Sequence, residues 1–211
     1  AEAAWCDDTR AVARLRACSS VESHGSLPAI GRQSVTGGLG GLGLRAAALL
    51  VFGGTPLVLL ASRGGRVARD GQGLHAQLHA LGLAATIVSC NGADALDTRT
   101  LSCTASLRGV LHAAGTADAG LLGSLEARAV RRLHAPKASG AWHLHCATCV
   151  APLDAHVLFS SVGAGLGNAG QASYAAANAS LDALALTQRA GGTAASSVQW
   201  PLVGGAGMGA D

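Results

Sequence analysis

From Gly31 onward, short apolar runs alternate with longer stretches whose apolar residues recur at helical spacing, the order expected of repeated β–α units and a parallel sheet. The runs predict strands at Ser34 to Thr36, Leu57 to Ala61, Ala85 to Cys90, Gly109 to His112, His156 to Ser160 and Ser196 to Trp200. Each is short and rich in Val, Leu or Ile, as expected of strands buried on both faces. Helices are expected over Gly41 to Phe52, Gly73 to Leu81, Leu125 to Cys149 with a break near Pro136, and Gln171 to Arg189. Gly53 and Gly54 stop the first of these, because glycine accepts the left-handed backbone there. The first strand, Arg32-Gln33-Ser34-Val35, is more polar than a doubly buried strand should be. The pattern predicts an α/β fold with a doubly wound parallel sheet and helices on both faces.

Residues 1 to about 30 hold only short helix-like patches and end in a Gly/Ser/Pro-containing stretch, so they read as a linker or the tail of a neighbouring unit. Residues 31 to 211 form the domain. The chain has 211 residues, 49% hydrophobic and 13% charged, and no run approaches the roughly 18 apolar residues that span a bilayer. A net charge of +3 with scattered arginines gives no nucleic-acid footprint. Six cysteines at irregular positions, with no secretory signal in view, point to free thiols and an intracellular setting.

Between the first strand and the first helix lies Thr36-Gly37-Gly38-Leu39-Gly40-Gly41-Leu42-Gly43. A glycine-rich turn in that context lets the backbone approach a pyrophosphate whose charge faces the helix N-terminus, which makes the sheet Rossmann-like and the turn a dinucleotide site. Arg63, at the end of the second strand, stands where NAD-preferring folds carry an acidic residue against the ribose; arginine there, with the Ser62 hydroxyl beside it, favours a 2′-phosphate and hence NADPH.

Ketone reduction needs a proton donor at oxygen, and a phenol near an ammonium can serve. The chain has one tyrosine, Tyr174, and one lysine, Lys137. Tyr174 and Asn178 are spaced i, i+4 and share a helix face, while the fifth strand ends in the hydroxyls of Ser160 and Ser161.

The turn, His112-Ala113-Ala114-Gly115, Pro136-Lys137, Val157-Leu158-Phe159-Ser160-Ser161-Val162 and the segment from Gly170 to Ala185 resemble the ketoreductase domains of polyketide and fatty acid synthases, within the short-chain dehydrogenase/reductase superfamily. The resemblance covers roughly residues 31 to 209. It implies that Tyr174 donates the proton, that Ser161, rather than Ser160, hydrogen-bonds the carbonyl, and that Lys137 and Asn178 complete a tetrad with a proton-relay water. It also implies that Thr36, Gly37, Gly38, Leu39, Gly40, Gly41 and Leu42 hold the cofactor phosphates, with Ser62 and Arg63 at the 2′-phosphate. Asn91 and Ala93 then lie at the adenine, and Ala113, Ala114 and Gly115 lie against ribose and nicotinamide. In ordinary short-chain dehydrogenases the lysine follows the tyrosine by four residues; here asparagine does, as in the synthase domains.

The same resemblance implies reduction of a β-ketoacyl group carried by phosphopantetheine on an acyl carrier protein, among neighbouring synthase domains. Residues 1 to 30 then resemble the end of a preceding structural subdomain, and the chain stops short of the family's substrate lid. Asn91 replaces the family's aspartate, which is expected to weaken adenine binding. The passage from Asp94 to His112 is shorter than in the family, so its helix is expected to be stunted and to leave one sheet face uncovered. Two rivals stand beside this reading: a free-standing dehydrogenase, and a remnant that binds NADPH without turnover. His143, His145, Cys146 and Cys149 form an HxHCxxC cluster, but no second ligand pair lies at finger spacing and the cluster falls in a predicted helix, so no metal is expected.

Overall fold

Each of the six apolar runs forms a strand within two residues of its predicted limits, and all six join one sheet. The computed structural model describes residues 3–6, 9–12, 31–67, 72–104, 106–117 and 120–204. The strands are β3 (Arg32–Thr36), β4 (Leu57–Ser62), β5 (Ala85–Ser89), β6 (Leu107–His112), β7 (Ala155–Ser161) and β8 (Ala195–Trp200). They are parallel, in the order β5-β4-β3-β6-β7-β8. The direction of winding reverses between β3 and β6, which opens a crevice at the carboxyl ends of those two strands.

Helices α1 (Gly41–Phe52), α2 (Leu74–Ala80), α3 (Ala95–Thr104), α4 (Ala127–His134), α5 (Gly140–Thr148), α6 (Gly163–Leu166) and α7 (Ala172–Ala190) complete the described layers. Alternate residues of β4 show why helices are needed on both faces. Val58 and Leu60 pack with Leu44 and Ala47 of α1 and Leu74 of α2. Leu59 and Ala61 face the other way, toward Leu101 of α3 and Leu144 of α5.

The polar β3 is nonetheless central and buried from Gln33 to Thr36. Its neighbour resolves the conflict, because a Cβ on Gly109 of β6 would collide with the Gln33 side-chain amide. Glycine there leaves room for a polar side chain inside the sheet.

Several expectations need correction. The passage after β5 is not stunted in its effect: α3 has ten residues, with Thr98 and Leu101 buried, and it covers the face in question. Its start is fixed by Asp94, whose carboxylate accepts from the Leu96 and Asp97 N–H groups at 2.8 and 3.1 Å. The chain does not break at Pro136. A π turn over Ala135–Ser139 joins α4 to α5, with the Gly140 N–H reaching the Ala135 carbonyl. The left-handed residue after α1 is Gly54 (φ 91°), while Gly53 is not left-handed (φ −73°). In the N-terminal segment, β1 (Ala3–Cys6) and β2 (Thr9–Val12) pair antiparallel where helix-like patches were expected, since four-residue strands are too short to show a period. Residues 13–30 and 205–211, which include the end of that segment and the C-terminal stretch expected to stop short of a lid, lie outside the described residues.

Candidate active site

A cleft of about 750 Å³ opens at the carboxyl edge of the sheet, over the reversal between β3 and β6. The glycine-rich turn forms one wall. Gly37 has φ +68°, and a Cβ there would lie 2.7 Å from the Ala114 backbone; one on Gly43 would run into the Gly37 carbonyl. The turn therefore closes tightly on itself and on the segment after β6, leaving the N-terminus of α1 facing the cleft. No acidic residue occupies the first turn of α1 to compete for an anion. Gly38 plays a different part from its neighbours. It does not line the cleft; its N–H donates to the Ala61 carbonyl (3.2 Å), and a Cβ would meet Val35 O and Leu60.

Of the other residues expected at a cofactor, Thr36, Gly37, Leu39, Gly40, Gly41, Leu42, Ser62, Arg63, Asn91, Ala93, Ala113, Ala114 and Gly115 all line the cleft. Arg63 is exposed at its rim, and a second exposed arginine, Arg66, lines the same end. Asn91 is partly committed elsewhere: its Oδ1 accepts from the Ala93 N–H at 3.3 Å and its own N–H donates to Asp97. Gly115 makes room for the lysine as well, since a Cβ would stand 2.7 Å from Lys137 Cε.

At the other end, the only lysine and the only tyrosine meet. Lys137 leaves the π turn and is 4% exposed; its Nζ donates to the Phe159 carbonyl (3.3 Å) and lies 5.5 Å from the centroid of the Tyr174 ring. Tyr174, near the start of α7, and Ser161, at the end of β7, line the cleft with it, and Ser161 Oγ accepts from the Gly163 N–H. Ser160 is turned to structural use, donating to the Asn178 carbonyl at 3.2 Å. Asn178 is fully buried beneath the cleft and does not line it; its Nδ2 donates to the Tyr174 carbonyl at 2.8 Å, tying down the turn of α7 that carries the phenol. The CxxC–His cluster does not converge, and among the described residues no group of three His, Cys, Asp or Glu side chains is placed to hold a metal ion.

Burial pulls the Lys137 ammonium down from 10.5 to about 8, against an opposing pull from Asp182. Between these values the unfolded chain holds a proton that the folded chain has released, so this group makes stability rise with pH across that window and costs stability below it. Lys137→Met is therefore expected to be more stable than the parent near neutrality and to lose this part of the rise. Denaturant melts of both proteins on either side of pH 8 would measure the difference.

Sequence reading missed Arg66 and the lining from Trp200, at the end of β8, to Val203, and gave no role to His112, the first residue of its His-Ala-Ala-Gly motif. The spacing of Arg66, three residues past Arg63, was available as a signal; the others depend on where chain segments cross. Thr116 Oγ1 and Trp200 Nε1, both on lining residues, have no hydrogen-bond partner among the described residues.

A doubly wound parallel sheet with a glycine turn, and a tyrosine and a lysine at one carboxyl-edge cleft, defines a class, the short-chain dehydrogenase/reductase fold. A solved enzyme of that name from Brucella melitensis has the same fold at 20% identity, with a TM-score of 0.66 over 80% of this chain and 73% of that one. The chain belongs more narrowly to the KR domain family, whose model matches residues 31–205. It is 43% identical over 179 residues to a spectinabilin polyketide synthase system protein of Streptomyces orinoci, covering 82% of this chain and 8% of that protein. It is 41% identical to a pikromycin polyketide synthase component of Streptomyces venezuelae, covering 83% and 12%. A solved structure of A-type ketoreductases from a modular polyketide synthase superposes with a TM-score of 0.83 at 40% identity, covering 93% of this chain and 42% of that one. The chain thus spans a small part of the length of these relatives. No helix among the described residues is long and apolar enough to cross a membrane.

Proposed function

We propose that this domain reduces a β-ketoacyl thioester to the β-hydroxyacyl thioester with NADPH. The observation that carries the reading is the meeting of Lys137, Tyr174 and Ser161 in the cleft that the glycine turn also lines. The cradle fits a dinucleotide: side chains are excluded at Gly37 and Gly43, where a pyrophosphate needs close backbone approach, and two arginines stand at the far rim. When bound, the nicotinamide supplies hydride to the ketone carbon. Tyr174 gives its phenolic proton to the ketone oxygen, and the Ser161 hydroxyl donates a hydrogen bond to the same oxygen as charge builds there. Lys137, still largely protonated at neutral pH, offsets the charge left on the phenol, and Asn178 fixes the tyrosine's turn of helix.

The substrate class comes from kinship. The relatives are polyketide synthases, so the thioester is assigned to the phosphopantetheine arm of an acyl carrier protein, in the company of other synthase domains. The test is consumption of NADPH by the purified chain with a soluble β-ketoacyl thioester, followed by the fall in nicotinamide absorbance. Retained NADPH binding with no consumption on any such thioester would overturn the reading.

Arg63 and Arg66 carry the choice of NADPH. A charge-assisted hydrogen bond is worth about 2 kcal/mol, so Arg63→Glu or Arg66→Glu is expected to weaken NADPH binding by about 30-fold or more and to leave NADH binding nearly unchanged. Titration of both cofactors by nucleotide fluorescence measures the ratio, and an unchanged ratio removes the assignment.

A further inference from the structure

We propose that His112 is a positioning residue that ties the glycine turn to the backbone of the lysine, so that one buried ring holds both ends of the cleft in register. This rests on the reading of Lys137 given above. His112 ends β6, is fully buried, and is not among the residues that line the cleft, so it touches neither substrate nor cofactor.

Its two ring nitrogens face different parts of the site. Nε2 lies 3.1 Å from the Lys137 carbonyl oxygen, which can only accept, so Nε2 carries the proton. Nδ1 is then the acceptor and takes the Thr36 hydroxyl proton at 2.7 Å. Of the two neutral tautomers only this one satisfies both contacts. The surroundings keep it neutral: burial first, then the charge of Lys137 and the neighbouring His156, bring it down to about 3, outweighing the opposite pull of the Lys137 and Pro136 carbonyls. Thr36 is the last residue of β3 before the glycine turn.

The packing leaves the ring little freedom. A Cβ on Gly140 would lie 3.1 Å from His112 Cε1 and 3.2 Å from the Gly92 carbonyl, so the first turn of α5 closes directly over the imidazole. The π turn changes the pattern of donors in this stretch, and the Lys137 carbonyl is met by both the Gly140 N–H and the His112 ring. The groups facing Lys137 are His112 from β6, the Phe159 carbonyl from β7, and Tyr174 and Asp182 from α7.

Two substitutions divide the ring's work. His112→Asn keeps an acceptor for Thr36 and loses the donor to the Lys137 carbonyl. His112→Gln places an amide N–H where Nε2 stands and loses the acceptor for Thr36. Because the chain has one lysine, protein grown on carbon-13-labelled lysine gives a single side-chain signal, whose titration reads Lys137 alone. In His112→Asn that titration is expected to move from about 8 toward the ordinary value as the π turn relaxes and water reaches the ammonium. A misplacement of about 1 Å at this group costs about 100-fold in kcat, with NADPH affinity held. In His112→Gln the lysine titration and kcat are expected to stay close to the parent's while NADPH binding weakens.

Parent-like lysine titration and NADPH affinity in both variants would overturn the proposal. So would loss of both properties together in both variants along with a lower melting temperature, because that is what mere core packing predicts. The lysine titration needs no turnover. If the parent fails to reduce any β-ketoacyl thioester, the catalytic reading falls on that result, and the coupling through His112 is still decided by the labelled signal.

Discussion

Tyr174→Phe is expected to fold, to bind NADPH as the parent does, and to lose reduction of β-ketoacyl thioesters by two to four orders of magnitude, the usual worth of a positioned general acid. The change removes one oxygen at the edge of the cleft. The ring remains to pack beside Lys137, and the Asn178 Nδ2 still finds the backbone carbonyl at position 174, because that contact does not involve the phenol. A fall in kcat with unchanged melting temperature and cofactor affinity would mark a group used only in the transition state. Residual activity within tenfold of the parent would transfer the proton donation to water and make Tyr174 a packing residue.

Gly43→Val is expected to have the second large effect, at the opposite end of the same cleft. A first side-chain carbon there would overlap the Gly37 carbonyl and lie 2.8 Å from Gly38 Cα, both backbone atoms that cannot swing aside. The turn must open, and with it the approach that a pyrophosphate needs. Overpacking of this kind costs about 1–3 kcal/mol in stability, and NADPH binding is expected to fall below detection. Gly64→Ala serves as a comparison, since a Cβ there meets only the movable Arg66 side chain beyond 3.6 Å. Calorimetric NADPH titration and thermal melting of the three proteins would separate loss of the cradle from general destabilisation; parent-like affinity in Gly43→Val would overturn the cradle.

Leu57 to Ser62 was legible because a doubly buried parallel strand is an apolar run, whereas the edge strands β5 and β8 form from similar runs although they are largely unburied. The helix Ala95–Thr104 was expected only as a stunted one, because its composition is polar and its buried side chains are Thr98 and Leu101; its signal was the capping carboxylate of Asp94. Tyr174, Lys137 and Ser161 could be singled out by type, scarcity and motif, and the structure brings them to one cleft with Asn178 beneath it. His112 stands in one of those motifs, but its role could not be read there. Its importance lies in touching Thr36, 76 residues earlier, and Lys137, 25 residues later, a relation that exists only once β3, β6 and the π turn are side by side. The polar Gln33 misled for a similar reason, since the glycine that accommodates it lies on another strand.

The π turn at Ala135–Ser139 also has a consequence for how this region tolerates change in length. An α-helix advances about 100° per residue, so a helix interrupted by one wide turn is two helices out of phase by that angle. Leu133 before the turn and Ala141 and Leu144 after it are all buried, which means each half is phased to its own packing partners. Removing a single residue between them would take up the extra residue of the wide turn and rotate α5 by about 100°, carrying Ala141 and Leu144 away from their seats. A one-residue deletion here is therefore expected to cost more than a substitution at exposed Ser139, and the wide turn works as a splice that keeps the two buried surfaces aligned.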